Sequence, residues 1–196
     1  MWRESLLMFT GDFENPAWGI NHCRRVYDMS MKLADAEKTE VDEEALFAAA
    51  YLHDMGAFQP YKELEIDHAD RSEQLCEEEL LRMKFPVLKI PLVKEIIKHH
   101  MFYAVSGKSF ESAVFRDADI LDFMGVIGIT RILSIVGLDD WTPDLISAVD
   151  LIKKLSLELQ DLLFTSEGKK IGAVRKAEME EYLKALSEET EELKYM

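Results

Sequence analysis

No stretch of this sequence alternates apolar and polar residues well enough to make a strand, whereas apolar residues recur at helical spacing along most of its length. Glycine (9) and proline (5) are scarce among 196 residues, which favours long regular elements over a loop-rich β fold. The expected fold is therefore all-α. The first helix is expected from about Pro16 to Ala36, with Ile20, Val26, Met29, Met31 and Leu33 as apolar positions. Asp42–Met55 follows, closed by Gly56, a common residue just past a last helical turn. Further helices are expected over Asp67–Met83, Lys89–His100, Glu111–Phe123 and Val126–Ile135, with Tyr103–Ser109 as a loop. Thr142, Pro143 and Asp144 combine a cap, a first-turn proline and an early acid, so the next helix is expected to begin there. Thr165–Gly172 reads as a loop, and Val174–Leu193 as the final helix.

The length suits one domain with a substantial core. The motif-bearing part covers about residues 18–132, and the helices of about 142–194 are expected to pack on it. The formal net charge is −15, from 23 basic and 38 acidic residues. Such a surface repels nucleic-acid backbones, so nucleic acid is not an expected partner. A small phosphorylated substrate stays compatible if a metal supplies local positive charge. Two cysteines, Cys23 and Cys76, form no disulfide framework and no CxxC motif. No apolar run is long enough to span a bilayer, and no secretory leader is evident at the N-terminus. The expected location is the cytoplasm, with no membrane partner. The apolar stripe of the final helix could support a homodimer, although packing on its own domain accounts for it as well.

All five histidines fall within the first hundred residues: His22, His53, His68, His99 and His100. One histidine is ordinarily structural; five on predicted helices with acids nearby suggest a metal. His53–Asp54, in AAAYLHDMG, sits at a helix end. Adjacent side chains within a helix diverge by about 100°, but at a helix end that constraint relaxes. In FRDADILD, residues 115–122, Asp119 shares a helical face with Arg116 and Asp122, whereas Asp117 points away. One of these acids can ligate a metal while another orients a histidine. A solvated acidic patch is the plainer reading, and the apolar neighbours Ala118, Ile120, Leu121 and Phe123 weigh against it.

In order, His22, His53–Asp54 and Asp119 give an H…HD…D pattern, and the segments NHCRRVYDMS, AAYLHDMG, DHADRSEQL and FRDADILDFMGVIGITR resemble the HD superfamily of metal-dependent phosphohydrolases. The resemblance implies a helical bundle with a divalent metal between helices. It assigns His22, His53, Asp54 and Asp119 as ligands, with Asp117 as the alternative to Asp119. His68 and the pair His99–His100 fall where dinuclear members carry extra histidines, giving the order H…HD…H…H…D. In those members the aspartate of the HD pair bridges two metals. Small nucleotide-pyrophosphatase-like members have similar segments around one metal, where the extra histidines would contact phosphate. One or two ions per chain therefore remain open, as does the choice between His99 and His100. Imidazole and carboxylate donors suit Fe, Mn, Co, Ni or Zn.

The function this implies is hydrolysis of a small phosphate ester or nucleotide by a metal-activated water, with Asp54 and His68 as candidate catalytic residues. Arg25, Lys62 and Arg71 are the candidates for binding the substrate's phosphates. Tyr61, Phe102 and Tyr103 could wall a pocket for a base or sugar. A diiron oxygenase fits the same ligands, and a non-catalytic metal-binding sensor is the third alternative. The GYP segment of the HD-GYP phosphodiesterases is absent, which argues against cleavage of cyclic-di-GMP.

Overall fold

The computed structural model describes residues 1–194, and among them there are helices and connecting turns but no strand. The α-helices are α1 (Trp2–Gly11), α2 (Ile20–Ala36), α3 (Glu43–Leu52), α4 (His68–Arg82), α5 (Ile90–Lys98), α6 (Phe110–Asp122), α7 (Gly125–Ser134), α8 (Leu145–Glu158) and α9 (Ser166–Glu189). Among these residues no helix is long and apolar enough to cross a membrane. The chain divides into two compact units, Met1–Asp119 and Ile120 onward, the division falling within α6.

The first unit is built around α3. Every residue from Ala45 to Leu52 is buried, so this helix has no solvent face. A helix apolar all round must be surrounded, and α1, α2, α4 and α5 pack against it. Its run of Ala48, Ala49 and Ala50 keeps the neighbours close. Asp42 caps it, accepting a hydrogen bond from the Ala45 amide at 3.0 Å. Leu6, Val26, Leu33, Leu80, Ile96 and Ile97 fill the surrounding core with no exposed surface. Each such side chain contributes about 1.5–3 kcal/mol by leaving water.

α1 is an element the sequence reading did not anticipate. It buries Leu6 and stacks Trp2 edge-on against Phe47 and Phe85, at 5.7 and 4.8 Å between ring centres. Thr10 donates its hydroxyl to the Tyr51 carbonyl at 2.8 Å, fastening α1 to the last turn of α3.

In the second unit, α7, α8 and α9 pack on one another. Buried Arg131 pairs with Asp122 at 2.9 Å and lies over the Phe123 ring. The segment expected as a loop over Thr165–Gly172 is instead the start of α9. Thr165 caps it, accepting from the Gly168 amide at 3.0 Å. Gly172 is a packing residue here, since a Cβ would lie 2.3 Å from Leu163. The start expected at Thr142 moves to Leu145 for a similar reason: Asp144 is the cap, accepting from Ser147, and Thr142 turns inward to the Ile135 carbonyl.

Candidate metal centre

Four helix ends and one helix interior, all in the first unit, bring six ionisable side chains together. His22 lies in the first turn of α2. Asn15 sets that start, its side chain accepting from the Ala17 and Trp18 amides. His53 is the residue that closes α3, and Asp54 follows with φ −98° and ψ 4°, outside helical geometry. The helix break is what lets neighbouring side chains point to one place. His68 opens α4 behind its cap Asp67, whose carboxylate accepts from the Ala69 amide at 2.8 Å. His100 lies just past the end of α5. Asp119 is buried on α6.

The distances define two donor groups sharing Asp54. His22 Nε2 is 3.0 Å from His53 Nε2, 3.4 Å from Asp54 Oδ2 and 3.4 Å from Asp119 Oδ1. His53 Nε2 is 3.2 Å from Asp54 Oδ2. The other oxygen, Asp54 Oδ1, faces His68 Nε2 at 3.4 Å and His100 Nε2 at 3.7 Å. Separations of 3.0–3.4 Å between donors match neighbouring ligands around one ion held at about 2.0–2.2 Å. The tighter sets His22–His53–Asp119 and His53–Asp54–His100, which share His53 and do not include His68, each place their donor atoms within 4.8 Å of one another.

The tautomers fit a cation. His53 Nδ1 lies 2.9 Å from the Ala50 carbonyl, and His100 Nδ1 lies 2.6 Å from the Ile97 carbonyl. A carbonyl only accepts, so both rings carry their proton on Nδ1 and turn a lone pair inward at Nε2. His100 Nε2 is buried without a hydrogen-bond partner. Burial, reinforced by His53 and His68, holds the His100 pKa well below the usual histidine range, so the ring stays neutral. For His53 burial acts the same way, but the Asp54 and Asp119 carboxylates outweigh it and raise the pKa, favouring a proton on Nε2 that a bound cation would displace. Burial would raise Asp54; His53 and His22 prevail and hold it well below the usual carboxylate range. Phe115, fully buried, walls the site edge-on to the His53 and His100 rings.

The other residues singled out in the sequence are distributed as follows. His99 turns away from the cluster; its Nδ1 donates to the Val105 carbonyl at 2.7 Å, and it lines a separate cavity with Lys94 and Lys98. Asp117 is buried but belongs to neither donor group. Arg25 and His22 line a cavity of about 580 Å³ together with Phe13, Asn15 and Gly19. Lys62 is exposed. Arg71 donates to the Tyr61 carbonyl at 2.9 Å and pairs with Glu63 at 3.4 Å, so it braces the loop after the HD pair. Three supporting interactions were not anticipated. Ser72 Oγ accepts from the Gly56 amide at 2.8 Å, Tyr103 donates to Asp67 Oδ2 at 2.7 Å, and Arg116 holds the loop after His100. The capping position of Asp67 was legible from DHAD; the other contacts are long-range and leave no local pattern.

A family model described as HD domain matches residues 19–124. No curated protein matches the sequence. Several solved structures share the fold. A Lactobacillus plantarum protein is 22% identical with a TM-score of 0.70, covering 96% of each chain. Bacillus subtilis YpgQ, solved in complex with ADP, is 20% identical with a TM-score of 0.69, over 95% of this chain and 97% of that one. An HD-superfamily hydrolase from Bacillus thuringiensis is 23% identical with a TM-score of 0.67, over 95% of both chains. The matched segment contains His22, His53–Asp54 and Asp119 in motif order and spans more than half of the sequence, and on that ground the chain belongs to the HD-domain family.

Proposed function

We propose that this protein is a metal-dependent phosphohydrolase acting on a small phosphate ester or nucleotide. The observation that carries the reading is Asp54, which turns one oxygen toward His22 and His53 and the other toward His68 and His100. A divalent transition ion held by His22, His53, Asp54 and Asp119 would supply a Lewis acid for a phosphoryl oxygen and render a water nucleophilic near neutral pH. His53 serves as a ligand because its Nδ1 proton is committed to Ala50. His100 carries only a lone pair at Nε2, which suits a second cation and not a phosphate oxygen. His68 and His100, with Asp54 as the shared carboxylate, therefore favour two ions. Arg25 stands beside His22 on a cavity of small-ligand size and is the residue to hold substrate phosphate. The ADP in the YpgQ structure is compatible with a nucleotide substrate here.

The shared carboxylate also supports a second reading, a diiron oxygenase. Elemental analysis of protein purified without chelator, run beside phosphate-release and oxygen-consumption assays, separates them. Phosphate release from nucleotides or sugar phosphates with Mn or Co supports the hydrolase. Two irons per chain with oxygen uptake and no phosphate release replaces it with the oxygenase. Absence of metal, even after dialysis against Mn or Fe, overturns both.

A further inference from the structure

The loop after α5 carries neither helix nor strand, so its backbone carbonyls need partners from elsewhere. One side chain supplies three of them. The Arg116 guanidinium donates to the carbonyls of Met101 (3.4 Å), Phe102 (2.8 Å) and Ala104 (3.4 Å), and to Ser106 Oγ (3.0 Å). Its planar fork reaches four acceptors at once, which a lysine ammonium on a flexible stem cannot do. Its donors are therefore directed at this loop, and not at a phosphate.

The placement of the clamp is specific. Met101 directly follows His100, whose own amide reaches the Ile97 carbonyl only at 3.5 Å, beyond the regular end of α5. Three residues before Asp119, Arg116 shares a face of α6 with it. From the middle of the same loop, Tyr103 reaches Asp67, the residue before His68. Residues 101–106 are thus a strap. It is fastened at one point to the helix bearing Asp119, begins at His100, and is tied at another point to the start of the helix bearing His68.

We propose that Arg116 is a positioning residue for the second donor group, His68 and His100, through its clamp on residues 101–106. This rests on the two-ion reading above. Losing the clamp leaves His100 held only by its Nδ1 bond to the Ile97 carbonyl and its buried surroundings, and leaves His22, His53, Asp54 and Asp119 in place, so the two donor groups can be emptied separately.

The test compares the full-length wild type with R116A, R116K and H100A, each loaded with Mn²⁺ and freed of excess ion by gel filtration. Metal per chain is read by elemental analysis, and amide hydrogen exchange is read over residues 101–106 and over the His22 and His53 segments. R116K retains charge and stem length, which covers the case in which R116A fails to fold. The expected result is one ion fewer per chain in both Arg116 variants, as in H100A. Exchange should be about tenfold faster over 101–106 and unchanged at His22 and His53. Wild-type metal content in R116A or R116K, with unchanged exchange over 101–106, overturns the proposal. If the wild type itself holds a single ion, the two-ion reading falls, and exchange decides the Arg116 clamp: acceleration confined to 101–106 supports it, and none overturns it.

Discussion

Gly56, two residues beyond Asp54, allows α4 to come within backbone contact of the HD turn, and replacing it with alanine tests how tightly the site is framed. A Cβ at this position would lie 2.4 Å from the His68 carbonyl oxygen, 2.7 Å from Arg71 Cβ and 2.9 Å from the Ser72 amide nitrogen. Two of those atoms are backbone, so no side-chain rotation relieves the clash. To restore ordinary contact, the start of α4 must retreat by about 1 Å, a displacement whose overpacking cost is about 1–3 kcal/mol. The same retreat stretches the 2.8 Å bond from Gly56 to Ser72 Oγ, worth about 1 kcal/mol. The total of about 2–4 kcal/mol corresponds to a fall in Tm of about 5–15 °C for a chain of this size. His68 moves with α4, so its approach to Asp54 Oδ1, now 3.4 Å, lengthens too. Thermal denaturation by circular dichroism of metal-free Gly56→Ala reads the first effect, and metal content reads the second. A Tm within about 1 °C of wild type would show that α4 is not held against the turn, and the reasoning would fail.

Further outcomes follow from the same geometry. Asp54→Asn keeps the shape but removes the charge shared by both donor groups; metal per chain should fall toward zero, with activity down by about a hundredfold or more, and full metal retention would contradict a shared ligand. Arg25→Ala should lower kcat/KM by about tenfold or more if its charged hydrogen bond to phosphate is lost, a change absent if Arg25 only lines the wall. Glu79 is buried with Oε2 lacking a hydrogen-bond partner, and burial, opposed by Arg82, raises its pKa. A carboxyl raised on folding stabilises below its unfolded pKa, and that contribution is lost as pH climbs through the folded value. Glu79→Gln should therefore increase the urea midpoint at pH 7, with the gain disappearing toward pH about 4; an equal gain at both pH values would refute this.

Helices whose ends carry a chemical signal were readable from the sequence. Asp42 and Asp67 stand at the predicted starts and are the observed caps of α3 and α4. The break at His53–Asp54, suspected because neighbours on a helix cannot converge, is the feature that lets them do so. What was hidden depended on contacts between distant segments. Gly168 and Gly172 look like loop residues until Leu163 and Gln160 are seen against Gly172. His99 and His100 are equivalent in a helical projection; α5 ends at Lys98, and only then does His100 turn inward while His99 meets Val105. Arg116 is legible as sharing a helical face with Asp119 but not as a clamp, because its partners are carbonyls twelve to fifteen positions away.

In this chain α1 belongs to the first packed unit although it lies outside the matched segment. The family-model match begins at residue 19, beyond the end of α1 at Gly11. Yet Trp2 packs on Phe47 and Phe85, and Thr10 holds the Tyr51 carbonyl two residues ahead of His53. A polypeptide cut to that boundary would take the Trp2 ring away from Phe85, leave Phe47 with Tyr27 and Tyr51 alone, and remove the Thr10 bond to the last turn of α3. The stretch that carries the chemical signature thus starts later than the packed unit, and the opening helix is held by contacts the signature does not record.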